Sequence, residues 1–125
     1  MSWGRSENPA APEAPVKLPA LADPADITAH VSGAKKTIVF FEMTFCPYCI
    51  AYKARFADLV RERSADLDFL RVTLDDPGNP LWRRYGIHAV PTVIAFAAGE
   101  IVARADSILA FGLSKKKWQD FRAAI

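Results

Sequence analysis

Residues Thr37 to Cys49 read TIVFFEMTFCPYC. The first five, Thr37-Ile38-Val39-Phe40-Phe41, are apolar on both faces of an extended chain and include β-branched side chains. A continuous run of that kind suits a central strand covered on both sides. The last four residues set Cys46 and Cys49 three apart, with Pro47 where a first helical turn needs no N–H. The stretch therefore predicts a buried strand that gives way to a helix starting at the cysteines and running to about Ser64.

Outward from this stretch, strands and helices alternate. Val16-Lys17-Leu18 is a candidate short strand. Asp23-Pro24 is a helix start, with Asp as N-cap and Pro at the first helical position; that helix should end at Ser32-Gly33. Leu67 to Leu74 is a second long strand, and Asp75 to Pro80 is turn chemistry. Pro80 to Tyr85 reads as a short helix stopped by Gly86. Thr92 to Phe96, a turn at Ala98-Gly99 and Ile101 to Ala105 form a hairpin. Ser114 caps a last helix whose buried stripe is Trp118, Phe121 and Ile125. The order β-α-β-α-β-α-β-β-α predicts an α/β fold. Its central mixed β-sheet has helices on both faces.

Residues 1–15, rich in Pro and Ala, lack periodicity and are expected to form an extended, disordered arm. Trp3 is an isolated aromatic within it. Residues 16–125 then make one domain. Half of the chain, 51%, is hydrophobic, which is enough for a core without a disulfide staple. A Cys46–Cys49 bridge closes only a small loop, so structural stapling is a weak account of the pair.

Net charge is +2, which does not point to nucleic acid; Lys115-Lys116-Lys117 reads as a solvated helix start. No apolar run is long enough to span a membrane, and no apolar segment of the secretory type follows Arg5. The expectation is a cytoplasmic monomer, or a periplasmic or secreted one if a signal was removed.

The chain holds only two cysteines. As a metal half-site they would need further ligands, and His30 and His88 are single and out of ligand spacing. Neither a metal nor a bound cofactor is expected. Two inert core thiols are the plain alternative to a redox pair. At a strand–helix junction, however, unpaired amides and the helix dipole favour a thiolate on Cys46 and lower its pKa. Cys49, one turn further in, should be more buried and able to reach Cys46.

From about Val16 onward the sequence resembles the thioredoxin family. The resemblance rests on TIVFF, CPYC, RVTLDD, YGIHAVPTVIAF, the AAGE turn and GLSKKKWQDF, in that order. It implies a thioredoxin fold, a cis bond before Pro91, and catalysis by Cys46 as nucleophile with Cys49 as the resolving thiol. The implied activity is reduction of protein disulfides by dithiol–disulfide exchange. Its partners would be disulfide-containing protein substrates, with a flavoprotein reductase or glutathione as electron donor. Phe45, Pro47, Tyr48, Val90, Pro91 and Thr92 would line the substrate groove, with Phe111 and Gly112 beside them.

The chain departs from the family pattern in four places. CPYC is typical of glutaredoxins, but the stretch AAGEIVARADSILAFG, with Asp106 and Ser107, matches their Gly-Gly and acidic pair poorly. The buried Asp of thioredoxins corresponds to Phe40. Glu42 substitutes if its side chain turns inward; a solvent-facing carboxylate is the alternative. The accompanying Lys corresponds to Arg71. The tryptophan usual before the first cysteine is Phe45. His88, as an imidazolium near the thiolate, would lower its pKa; an exposed loop histidine is the alternative. A glutathione-dependent reductase, a disulfide oxidase or isomerase, and a protein-binding or chaperone module remain as competing functions.

Overall fold

The computed structural model describes Leu18 and residues 20–125. The expected arm over 1–15, with Trp3, and residues Val16 and Lys17 of the expected first strand lie outside these residues. The elements are β1 (Ala20–Leu21), α1 (Pro24–Val31), β2 (Thr37–Glu42), α2 (Pro47–Arg63), β3 (Asp68–Thr73), α3 (Leu81–Arg84), β4 (Thr92–Ala97), β5 (Glu100–Asp106) and α4 (Lys115–Ala124). They follow the order read from the sequence. The sheet runs β1-β3-β2-β4-β5. β1, β3 and β2 are parallel, and β4 and β5 close it antiparallel. The sheet is therefore mixed, with helices on both faces.

The first strand is the one displaced element. It lies at Ala20–Leu21, pairing Ala20 with Arg71 and Leu21 with Val72, and Leu18 is outside it.

β2 is the middle strand, and all six of its residues are buried. Side chains alternate across a strand, and the two faces sort accordingly. Val39 and Phe41 join Leu70, Val72, Ile94 and Phe96 against Ile27 and Val31 of α1 and Leu81 of α3. Ile38 and Phe40 join Val93, Ala95 and Ala105 against Phe56 and Leu59 of α2 and Trp118 and Phe121 of α4. Full burial of one such Phe is worth about 1.5–3 kcal/mol, which is why this run cannot sit at an edge.

Local signals set the element ends. The Asp23 side chain accepts the Ala25 N–H at 2.9 Å, and the Ser114 hydroxyl accepts the Lys117 N–H at 3.1 Å. Ala98 and Gly99 join β4 to β5 with φ of 52° and 83°, the two-residue hairpin turn in which both central residues take positive φ. The consequence for the site is positional. β2, α2 and β4 bring the cysteines and the Val90–Pro91 segment to one end of the sheet.

Candidate functional site

Three segments converge at this end. The first is the β2–α2 junction. Thr44 donates its N–H to Asp75 at 2.8 Å and its hydroxyl to the other carboxylate oxygen. The connection is thereby anchored to the segment after β3. These two bonds hold the Asp75 carboxyl below its ordinary range. Cys46 is the N-cap of α2, in extended conformation, and its sulfur accepts the Cys49 N–H at 3.1 Å. Pro47 occupies the first helical turn. The cysteines form a disulfide with their Cα atoms 5.1 Å apart. Cys46 is 8% exposed and Cys49 1%, so a partner can approach only Cys46.

The second segment is the loop before β4. The Val90–Pro91 peptide is cis, and the Val90 carbonyl oxygen lies 3.8 Å from Cys46 Sγ. The third is the loop 107–112. Ser107 donates its hydroxyl to the Pro91 carbonyl, and Tyr48 donates its own to Ala110 at 2.9 Å. Phe45, next to Cys46, is 94% exposed, and in the 107–112 loop Phe111 is 79% and Leu109 77% exposed. Large apolar side chains left in water around a reactive sulfur suit contact with another polypeptide.

The model of the thioredoxin-like domain family matches residues 23–112. The chain belongs to the thioredoxin-like domain family. The probable thioredoxin-2 of Caenorhabditis elegans is 32% identical over 79 residues, covering 63% of this chain and 54% of the relative. The chain thus spans about half the length of that relative. Among solved structures, mitochondrial thioredoxin 3 from Saccharomyces cerevisiae in its oxidized form superposes with a TM-score of 0.61. It is 17% identical over 70% of this chain and 80% of its own. A chain from a structure of the thiol resolving mechanism in yeast mitochondrial 1-Cys peroxiredoxin, via glutathione/thioredoxin systems, reaches 0.68. It is 13% identical over 85% of this chain and 94% of that one. These two likenesses concern the fold. A thioredoxin-like domain with a Cys-X-X-Cys pair supports thiol–disulfide oxidoreductase chemistry in the general sense.

In this thioredoxin-like domain Glu42 turns inward and is 5% exposed. It lies on the same face of β2 as Phe40, as the alternation requires. Arg71 Nε pairs with its Oε2, and among the described residues neither buried atom has another hydrogen-bond partner. Lys53 Nζ stands 4.0 Å from Oε1. Burial raises the Glu42 pKa against the pull of Arg71 and Lys53. Lys53 follows Cys49 by four residues, which on a helix is the next position along the same face. Lys53 thus ties Glu42 to the helix that carries Cys49. A cavity of about 40 Å³, lined by Leu18, Lys53, Phe56, Ala57 and Arg71, adjoins it.

Other expected site residues fall elsewhere. Thr92 is fully buried and gives its hydroxyl to Ala89 at 2.7 Å. This corrects its placement in the groove lining, since its side chain supports the loop from beneath. Pro91 is buried too, while Pro47 and Tyr48 are exposed. His88 is exposed, and among the described residues no hydrogen bond links it to either cysteine. It lies instead on a groove beside α3. Among the described residues no helix is long and apolar enough to cross a membrane.

The sequence did not single out Ser107 or Ala110 as supports of the site. Only the adjoining Phe111-Gly112 hinted at that loop. Gly112 has φ of 76°, and a Cβ there would fall 2.5 Å from a Tyr48 ring carbon. Gly112→Ala should therefore destabilise the domain by about 1–3 kcal/mol, from backbone strain and the clash together. Urea denaturation checks this. Repeated in a Tyr48→Ala background, the substitution should cost less, because only the backbone part remains.

Proposed function

We propose that this domain is a thiol–disulfide oxidoreductase that reduces disulfides of protein substrates through Cys46 and Cys49. The observation that carries this is the position of Cys46, N-cap of a 17-residue helix with the Cys49 N–H aimed at its sulfur. That N–H and the helix terminus favour a thiolate, the form that attacks disulfides.

The Cys46 thiolate attacks one sulfur of the substrate disulfide. A Cys46–substrate disulfide forms, and the other substrate sulfur leaves as a thiolate. Cys49 then loses its proton and attacks Cys46 Sγ. The Cys46–Cys49 bond forms, and the remaining substrate sulfur leaves. Two electrons pass from the dithiol to the substrate, and the leaving thiolates take up protons. Glu42, buried, raised in pKa and paired with Lys53 of the cysteine-bearing helix, takes the role of proton acceptor for that second thiol. An external reductant, a flavoprotein reductase or glutathione, returns the two electrons. The exposed Phe45 and Tyr48 with the Val90 backbone receive the substrate segment.

The test is the equilibrium potential of the Cys46–Cys49 couple in glutathione buffers, read by thiol alkylation. The expected value lies between those of thioredoxin, about −270 mV, and glutaredoxins, about −200 mV. A value well above that range would overturn the reducing direction in favour of oxidation or isomerisation. Failure to close the disulfide in any buffer would leave a docking domain.

A further inference from the structure

The arginines of the described residues fall into two groups. Arg61, Arg63, Arg71, Arg104 and Arg122 pair with carboxylates, and Arg55 lies over the Tyr52 ring. Arg83 and Arg84 have neither kind of partner among these residues. Arg84 is nevertheless held in place, donating to the Thr28 hydroxyl at 2.9 Å. The two are adjacent, and both line one open groove of about 750 Å³ together with Pro80, Trp82, Gly86 and His88. The acids of the preceding loop are already engaged, Asp75 accepting from the N–H and hydroxyl of Thr44 and Asp76 from the Gly78 N–H at 2.8 Å. The groove thus gathers the arginines of the described residues that no carboxylate or ring compensates, beside an indole ring.

Its position links it to the disulfide. His88 on its wall is two residues from Val90, whose carbonyl lies 3.8 Å from Cys46 Sγ. Two residues span at most about 7 Å. A substrate strand lying over Cys46 and Val90 that continues past His88 enters the groove within a few residues.

We propose that the groove beside α3 receives an acidic segment of the disulfide-bearing protein substrate, with Arg83 and Arg84 taking its carboxylates. This rests on the oxidoreductase reading above. The planar guanidinium matches a carboxylate with two parallel hydrogen bonds. Trp82, half-buried and with its indole N–H given to the Asp76 carbonyl at 3.1 Å, offers a fixed apolar wall for the methylene stems. Such a site adds selectivity and encounter rate to an exchange reaction whose chemistry is the same for every disulfide.

The probes are two synthetic peptides, each with one cysteine in disulfide linkage to a chromogenic thiol. One is flanked on both sides by Glu, the other by Gln. The full-length reduced protein should react about three to ten times faster with the Glu peptide at low salt, the scale of two exposed charge pairs. The advantage should shrink in 0.5 M salt. In Arg83→Gln/Arg84→Gln, checked for folding by its urea midpoint, the ratio should fall toward one. Arg83→Glu should push it below one.

Equal rates for the two peptides in the unmodified protein would overturn the groove assignment while leaving the oxidoreductase reading intact. A preference that survives in the double variant would also overturn it. If neither peptide is reduced, the oxidoreductase reading fails, and binding of a fluorescein-labelled, cysteine-free Glu peptide, followed by its anisotropy, still decides the groove. Saturable, salt-sensitive binding lost in the double variant supports it; no binding sinks it. A single-stranded oligonucleotide of equal charge that binds as tightly as the peptide would overturn the assignment to a protein segment.

Discussion

Cys46→Ser should abolish disulfide reduction, and Cys49→Ser should stop it halfway. Serine is a strong N-cap, so the hydroxyl of Cys46→Ser can still accept the Cys49 N–H that now points at the sulfur. The helix start is preserved, and what disappears is the ability to form a disulfide. In Cys49→Ser the more exposed sulfur remains. It can attack a substrate, but nothing nearby can displace the substrate from it, because Cys49 is the only other cysteine in the chain. The expected product is a stable one-to-one mixed disulfide at Cys46, visible as an adduct mass and released by dithiothreitol. The first variant should show no turnover and no adduct. Turnover in either variant with no external thiol present would remove the two-step scheme. A Cys46→Ser protein that still holds a partner protein firmly would move the domain from catalysis to docking.

Much of this site was legible because its signals are local. A proline after a cysteine, at the end of an apolar β-branched run, marks a helix start whatever the rest of the chain does. Asp23-Pro24, Ser114 and Ala98-Gly99 work in the same way, each through its own backbone. The parts that were not legible depend on residues distant in sequence. Glu42 stands at the end of a strand, where the alternation gives its face but not whether a carboxylate there is covered or left in solvent; Arg71 on the neighbouring strand and Lys53 on α2 are its inward partners. Thr92 looked like a groove residue from its place after Pro91, yet its hydroxyl is satisfied by Ala89 and its side chain is covered. The edge strand could not be placed from Val16-Lys17-Leu18, because its register is fixed by β3. The loop 107–112 carried the weakest signal. Its contribution is a set of bonds to Pro91 and Tyr48 that no periodicity encodes.

Arg71→Met should destabilise the domain by about 2–4 kcal/mol at pH 7.5 and by much less at pH 4.5. Methionine keeps most of the apolar stem, so the change isolates the charge. Glu42 is 5% exposed, and its remaining cation, Lys53, is 4.0 Å away with a side chain 53% exposed. Burial already holds the Glu42 pKa above the ordinary value of 4.5, and Arg71 is the largest influence pulling it down. Removing Arg71 drives it further up. A carboxyl raised in the folded state binds more protons there than in the unfolded chain. Its favourable contribution is complete below about 4.5 and is lost as pH rises through the folded-state pKa. The penalty of Arg71→Met should therefore grow from about pH 4.5 upward and level off above that pKa. Urea denaturation across this range measures it. Glu42→Gln in the same background should flatten the curve. An equal penalty at both pH values would mean that Arg71 acts through packing instead of charge. The same titration bears on the chemistry. If Glu42 accepts the Cys49 proton, the rate at which a mixed disulfide is resolved should rise over the pH interval in which Glu42 ionises. In Arg71→Met that rise should shift upward with the stability curve, because one group governs both.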